Sequence, residues 1–400
     1  MPTLFQINAT ANWGSTGKIA EQIGNIAMLH GWDSYIAYGR HQNKSINKLI
    51  KVGNNFNVYE HYLENRILDN EGLASRCATK RLINKIKQLS PDIIHLHNIH
   101  DHWLNYQILF EFLNSIDTPV VWTQHDCWAF TGGCSYYSLN ECFNWQVGCD
   151  VCPYKHKLFD RSKVQFDNRK QLFLSKKNLT IVPVSRWLEQ QIRQSFMKDL
   201  NIIPIFNGVD IDVFKQQKGT NIKQKYSING THILIAVATA WTKRKGFDDY
   251  IRLSHILPQD YTIVLVGLPN ELAKDLPANI IAIPITNNVY ELVDLYSEAD
   301  IVLNLSYEET FGLTTVEGMS CGTPSIVYNS TASPELITPN TGIVVERGDV
   351  QGVLGAIDAI LTLGKNYYSD ECRKRAVELY DKQKSYEKYI KLYNELLKRY

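Results

Sequence analysis

Short apolar runs of strand length alternate with helix-compatible stretches in two successive series, and this alternation restricts the fold more than any other feature of the chain. Leu4 to Asn8, Tyr35 to Tyr38, Ile93 to His97, Val120 to Gln124 and Leu179 to Val184 form the first series. Ile233 to Ala238, Thr262 to Val266, Ile280 to Ile283, Ile301 to Leu305, Ser325 to Tyr328 and Gly342 to Val345 form the second. Strands separated by helices pair in parallel, and a parallel sheet needs helices over it, so the expected class is α/β with two such halves. The polar stretch Lys215 to Gly230 carries little apolar content, as a connector or surface loop does, and the boundary is expected near residue 205. At 400 residues two compact domains are also the default. Helix-like runs begin at Asp349, ending at Gly364, and again at Ser369.

A hydrophobic content of 44% and a charged content of 21% describe an ordinary globular protein, and a net charge of +1 gives no global attraction to nucleic acid. No nucleic-acid partner is expected. Positive residues gather locally at Lys80, Arg81, Lys85 and Lys87, and at Lys155, Lys157, Arg161, Lys163, Arg169, Lys170, Lys176 and Lys177. Such clusters read either as solvated helix faces or as a peripheral contact with anionic lipid, each charge adding about 1 kcal/mol near a membrane surface. Met1 to Asn8 lacks the basic start and apolar centre of a signal peptide, and no run is long enough to span a bilayer. A cytoplasmic protein is expected, with the inner face of the membrane as its place of peripheral contact.

The most informative local stretch runs from Ser306 to Pro324 and holds two carboxylates, Glu309 and Glu317, eight residues apart around a glycine turn. Asp300 to Leu305 reads as a buried strand, and helix-compatible residues from Thr314 stop at Gly322. First-turn amides near Gly312, Leu313 and Thr314 lack intrahelical acceptors, and with the helix dipole they attract a diphosphate. Eight residues at helical rise cover roughly 12 Å, about the reach from a sugar through a diphosphate to a ribose.

That segment, with Phe311 inside it, resembles the Glu-x7-Glu signature of family 4 glycosyltransferases, retaining enzymes of the GT-B architecture, in which two Rossmann-like domains face a central cleft. Val184 to Leu188, and Ile205 to Asp210 with Phe214, are similar to the interdomain signatures of that family. The resemblance implies contact of Glu309 with donor-sugar hydroxyls and of Glu317 with the nucleotide ribose. It also implies a UDP- or GDP-linked sugar as substrate and no catalytic metal. The implied domains are an acceptor-binding one over 1–205 with a cysteine-rich insertion at about 127–156, and a nucleotide-sugar-binding one over 206–375. A last helix over 376–400 would cross back to the first domain.

On the donor side, Ala238 to Phe247 follows a buried strand and precedes a helix, which puts Lys243, Arg244 and Lys245 where open α/β sheets bind ligands. Lys245 is the natural phosphate ligand, because a departing diphosphate gains charge that fixed cations stabilise. The resembled family usually pairs this lysine with an arginine five residues earlier; Ala240 stands there instead, and Lys243 or Arg244 is the expected substitute.

On the acceptor side, Asn12 to Ile19 invites comparison with a phosphate-binding Walker loop and fails it, since Asn12 and Ile19 replace the required Gly and Ser or Thr. The resemblance gives Gly14 and Gly17 to the ligand-facing loop; a simple strand-to-helix turn explains them as well. His125 closes the strand Pro119 to Gln124, and the resemblance makes it a donor-sugar contact near the reaction centre, against the alternative of a buried structural histidine. His95 and His97 share one strand face, as metal ligands should, but Ile99 stands where a dinuclear site needs Asp. A polar wall is the preferred reading, with His97 and Asn98 touching acceptor hydroxyls.

Cys134, Cys142, Cys149 and Cys152 follow closely and could close a structural zinc site, although only one Cys-x2-Cys knuckle is present. Free thiols are the competing reading in a reducing compartment. Similar cysteine-rich inserts occur in a branch of bacterial capsule and exopolysaccharide transferases. The expected function is transfer of a hexose-type unit to a glycan or lipid-linked acceptor in surface polysaccharide synthesis. A sugar-nucleotide epimerase of the same architecture and a histidine-cluster metallohydrolase are the alternatives.

Overall fold

The computed structural model describes residues 1–153 and 159–399. Lys155 and Lys157 of the second basic cluster, and the insertion from Tyr154 to His156, lie outside the described residues, as does Tyr400. The chain divides into two compact units, one comprising Met1–Phe206 with Tyr386–Tyr400 and the other Asn207–Ser385.

The first unit is built on seven parallel strands: β1 (Thr3–Asn8), β2 (Asp33–Tyr38), β3 (Lys48–Lys51), β4 (Ile93–Leu96), β5 (Val120–Gln124), β6 (Leu179–Pro183) and β7 (Asn201–Ile202). Their order in the sheet is β3-β2-β1-β4-β5-β6-β7. The central strands are buried along nearly their whole length, which is why they read as continuous apolar runs. Neither β3 nor β7 was expected. Both are edge strands with exposed residues, so neither carries the unbroken apolar signal of a covered strand. Trp122 of β5 is buried against Phe110 and Phe173, with ring centroids 5.4 and 4.9 Å away, and these come from the helices Tyr106–Leu113 and Ser162–Leu174. This aromatic cluster seats β5, and with it the residue that follows, His125.

The second unit holds six parallel strands: β8 (His232–Val237), β9 (Tyr261–Val266), β10 (Ile280–Ile283), β11 (Ile301–Asn304), β12 (Ser325–Tyr328) and β13 (Gly342–Val345), in the order β10-β9-β8-β11-β12-β13. Asp349 caps the helix Val350–Leu363, its carboxylate accepting from the Gly352 amide at 2.8 Å. The helix expected from Ser369 instead starts at Lys365, directly after Gly364. The cause is tertiary: the Lys365 ammonium donates to the carbonyls of Ser297 at 2.5 Å and Ala299 at 2.6 Å, anchoring a turn that local propensity leaves undecided. The last helix, Lys382–Arg399, enters the first unit at Tyr386.

In each sheet the order reverses between two neighbours, β1 beside β4 and β8 beside β11. Loops leaving the carboxyl ends of such a pair run to opposite faces and open a crevice where ligands bind in α/β sheets. Gly14 and Gly17 follow β1, and His97 and Asn98 follow β4; Lys243 to Lys245 follow β8, and Glu309 to Thr314 follow β11.

Candidate functional site

In the second unit the loops after β8 and β11 are bound to each other. Lys243, Arg244 and Lys245 form a single 3-10 turn ended by Gly246, whose φ of +71° is the left-handed region that glycine tolerates. A Cβ at Gly246 would lie 2.1 Å from the Leu305 carbonyl oxygen, so the turn can seat against the end of β11 only without a side chain. Tyr250, one turn into the next helix, donates to the Leu303 carbonyl and accepts from the Leu305 amide, both at 3.1 Å. The Tyr307 amide donates to the Arg244 carbonyl at 2.8 Å, and the Arg244 guanidinium donates to the Glu308 carbonyl at 2.9 Å.

This pinning sets two cations beside one carboxylate. The Lys245 ammonium forms an ion pair with Glu309. Burial alone would favour the neutral acid, but the charge and hydrogen bond of Lys245, with Arg244 nearby, hold the Glu309 carboxyl below its ordinary range. Glu309 is fixed from behind by Thr331, whose hydroxyl accepts from the Glu309 amide at 2.8 Å and donates to its carbonyl at 2.7 Å. Lys243 is exposed.

Gly312, at φ +96°, caps the helix Leu313–Ser320 and, as glycine, offers no side chain to that helix start. The first-turn amides of Leu313 and Thr314 therefore open at the same end as Lys245 and Glu309. Phe311 is buried against Tyr380, with ring centroids 5.7 Å apart, and supports the turn from below. Farther along the helix, Glu317 accepts a hydrogen bond from the buried Tyr296 hydroxyl at 3.1 Å. The structure thus brings Arg244, Lys245, Glu309 and the Gly312 helix start together, with Glu317 down the same helix.

In the first unit, Gly17 lets the loop after β1 fold onto its own helix: a Cβ there would meet Thr10 Oγ1 at 2.6 Å. Gly14 begins that helix, Gly14–Leu29. The Asn98 amide donates to Asn8 Oδ1 at 3.2 Å, joining the ends of β4 and β1. His97 is buried, its Nδ1 3.1 Å from His125 Nε2 and its Nε2 3.1 Å from Gln6 Oε1. His95 lies beside it, ring centroids 4.1 Å apart, with Nε2 on Thr123 at 2.8 Å and Nδ1 on the Tyr393 hydroxyl at 2.7 Å. Thr123 in turn meets the Tyr389 hydroxyl at 2.9 Å, so the last helix completes this network. The ring nitrogens of His95 and His97 are thus engaged with protein groups and do not converge as metal ligands would.

His100 differs from its neighbours. Burial works against its charge, but Asp126 at 2.8 Å and Asp101 at 3.8 Å outweigh it and hold its pKa well above the ordinary value. Burial pulls His125 down to about 4 and His61 to about 3, and His95, His97 and His102 are lowered as well. Unfolded imidazoles take up protons near pH 6.5, whereas these folded ones refuse them until lower pH, so the unfolded state binds more protons and acid destabilises. The raised His100 has the opposite sign: its contribution is complete below the unfolded pKa and lost as pH rises through its folded one. With five depressed imidazoles against one raised, Tm should fall as pH drops from about 7 to about 5. Thermal melts across that range check it; a Tm that rises toward pH 5 would contradict the neutral assignments.

Cys134, Cys142, Cys149 and Cys152 are not joined in disulfides. Burial pushes the Cys149 thiol up to about 11, which opposes thiolate formation. Among the described residues no three His, Cys, Asp or Glu side chains are gathered as a metal ion requires, although Cys142 and Cys152 both lie near enough to act on the Cys149 thiol. Cys149 packs against Gly132, whose amide donates to its Sγ at 3.2 Å. Within the insertion Trp145 is buried, with centroids 5.0 Å from both Phe130 and Tyr137.

Four residues at the site escaped sequence reasoning. Thr331, Tyr296 and Tyr250 come from elements remote in sequence from the groups they hold, and no local signal marks them. Gln6 could have been found, because a glutamine inside a fully buried strand needs partners for its amide.

Comparison with known proteins finds likeness over both halves of the chain. Residues 30–213 match the family described as Glycosyltransferase Family 4, and residues 219–378 the one described as Glycosyl transferases group 1. A putative colanic acid biosynthesis glycosyl transferase, WcaC of Escherichia coli K12, is 26% identical over 189 residues, which are 44% of this chain and 45% of the relative. The chain spans about half the length of the first curated relatives it matches. Among solved structures, sucrose-phosphate synthase from Thermosynechococcus elongatus aligns over 100% of both chains with a TM-score of 0.73 and 15% identity. Anabaena HepE in complex with UDP aligns over 99% of this chain and 100% of its own, with a TM-score of 0.69 and 14% identity. At these identities the structural likeness establishes the fold, two Rossmann-like α/β units of the GT-B class.

Proposed function

We propose, from the premise that this chain belongs with the family 4 glycosyltransferases of GT-B fold matched over both its halves, that it moves a hexose-type unit from a nucleoside diphosphate sugar to a glycan or lipid-linked acceptor, with retention of configuration. The observation that carries this reading is the meeting of Arg244, Lys245 and Glu309 at the Gly312 helix start, with Glu317 farther along that helix. Assembly of a surface polysaccharide is the proposed setting, supported by the names of relatives in colanic acid and O-antigen synthesis. The HepE complexes with UDP and UDP-glucose support a uridine-type donor.

The chemistry follows from charge. As the sugar leaves, negative charge collects on the diphosphate, and groups already aimed there stabilise it without reorganising. A charged hydrogen bond to phosphate contributes roughly 1.5–3 kcal/mol, against roughly 0.3–1 kcal/mol for a helix terminus, so the two cations dominate and the helix end orients. Glu309 would take sugar hydroxyls and Glu317 those of the ribose. His125 is a further sugar contact in this reading, and the leaving phosphate itself accepts the incoming hydroxyl's proton, so no enzymic nucleophile is needed.

Arg244 is the proposed replacement for the arginine missing at Ala240, because its guanidinium is held beside Glu309 whereas Lys243 is exposed. Titration calorimetry with a panel of UDP- and GDP-sugars tests both points. Arg244→Ala should weaken binding of the preferred donor roughly tenfold or more, and Lys243→Ala should leave it nearly unchanged. Failure of every sugar nucleotide to bind would remove the transferase reading; equal effects of the two substitutions would remove only the choice of Arg244.

A further inference from the structure

The hydrogen bonds behind His125 have a fixed direction, and it can be followed from a group whose role admits no choice. The Ala20 carbonyl can only accept, so the Gln6 atom 2.9 Å from it is the amide nitrogen. Gln6 Oε1 must then be the atom facing His97, and an amide oxygen also can only accept. The proton between them, across 3.1 Å, belongs to His97 Nε2. A neutral imidazole carries one proton, so His97 Nδ1 offers a lone pair, and across the next 3.1 Å contact His125 Nε2 must donate. We propose that Gln6 and His97 are positioning residues that hold His125 as its Nε2–H tautomer, leaving Nδ1 as the unprotonated nitrogen.

The direction depends on His97 being neutral, since a cationic His97 would donate from Nδ1 and reverse the chain. Its surroundings favour neutrality. His97 is 1% exposed, its hydrogen-bonding neighbours are an amide and an imidazole, and the ring tilted against it, His95, is held by the hydroxyls of Thr123 and Tyr393. The carboxylates of Asp126 and Asp101 lie instead around His100. Burial, then His95 and His125, accordingly lower the His97 pKa well below its ordinary value.

This inference rests on the reading of His125 as a sugar contact and sharpens it: an unprotonated Nδ1 can accept a hydrogen bond from a hydroxyl but cannot donate one, while the proton of that hydroxyl still goes to the leaving phosphate. It also reassigns His97, expected from the sequence to touch acceptor hydroxyls, to a place behind His125 where both its nitrogens are spent on protein groups.

Two-bond proton–nitrogen NMR of the full chain labelled with 15N-histidine, without ligand at about neutral pH, reads the tautomer directly. The His125 signal, identified by its loss in His125→Asn, should show protonated Nε2 and unprotonated Nδ1. His97→Leu should abolish that single tautomer, while His97→Asn, whose amide oxygen can stand in for Nδ1, should retain it. A His125 protonated at Nδ1 or mixed between forms in the unmodified protein, or unchanged in His97→Leu, overturns the proposal. The unmodified spectrum decides even where a variant fails to fold. It is also independent of donor binding: a correct tautomer with no sugar nucleotide bound sinks the transferase reading alone, and the converse result sinks this inference alone.

Discussion

Glu309→Gln should lower kcat/KM for sugar transfer by roughly 10²–10³-fold while leaving the protein folded. Glutamine keeps the shape and one hydrogen-bonding oxygen but loses the charge that Lys245 and Arg244 hold ionised. In the proposed mechanism that charge faces a sugar ring that becomes cationic as its bond to phosphate stretches, so its loss is felt mainly in the transition state. The decrease should therefore appear in kcat more than in KM. Because the Lys245 ion pair is mostly shielded from water, its side chains 19% and 16% exposed, the freed ammonium would still pull on the glutamine oxygen and limit the structural cost. Steady-state kinetics with the donor identified by calorimetry provide the measurement. Transfer within twofold of the unmodified rate would show that Glu309 serves only as a structural partner for Lys245.

The second large effect is expected at Gly246. Alanine there takes on a left-handed backbone, costing roughly 1–2 kcal/mol, and an overpacked contact, costing roughly 1–3 kcal/mol. The contact is with the Leu305 carbonyl, a backbone atom of a buried residue that cannot rotate aside. A loss of about 3 kcal/mol or more is expected for Gly246→Ala from urea midpoints, with weaker sugar-nucleotide binding because the turn carrying Arg244 and Lys245 must shift. Gly355 supplies the contrast. It lies inside the helix Val350–Leu363 with no atom within 4 Å of a built Cβ, so Gly355→Ala should stabilise by roughly 0.5–1 kcal/mol. Equal effects at the two positions would mean that the loops after β8 and β11 are not pinned as described.

Legibility differed by residue for physical reasons. The covered strands announced themselves because burial on both faces favours near-continuous apolar residues, as in Ile301 to Leu303. Edge strands β3 and β7, with one flank in water, carry no such demand and went unread. The carboxylate pair around Gly312 was visible because a helix start after a buried strand has a compact local signature. What holds that pair was not: Thr331 is 22 residues from Glu309 and Tyr296 is 21 from Glu317 in sequence. The cysteine spacing suggested a metal cage, yet spacing alone does not say whether the backbone between the thiols turns their side chains inward.

The sequence by itself determined the α/β class, the two series of parallel strands and the position of the acidic and basic residues at strand ends, since these follow from hydrophobic periodicity and turn chemistry acting over a few residues. Only the tertiary structure decided which cation stands beside Glu309 and in which direction the His97–His125 hydrogen bond runs. Those outcomes depend on groups brought together from distant strands and helices, and a contact such as Gln6 with His97, 91 residues apart, leaves no periodic trace in either segment.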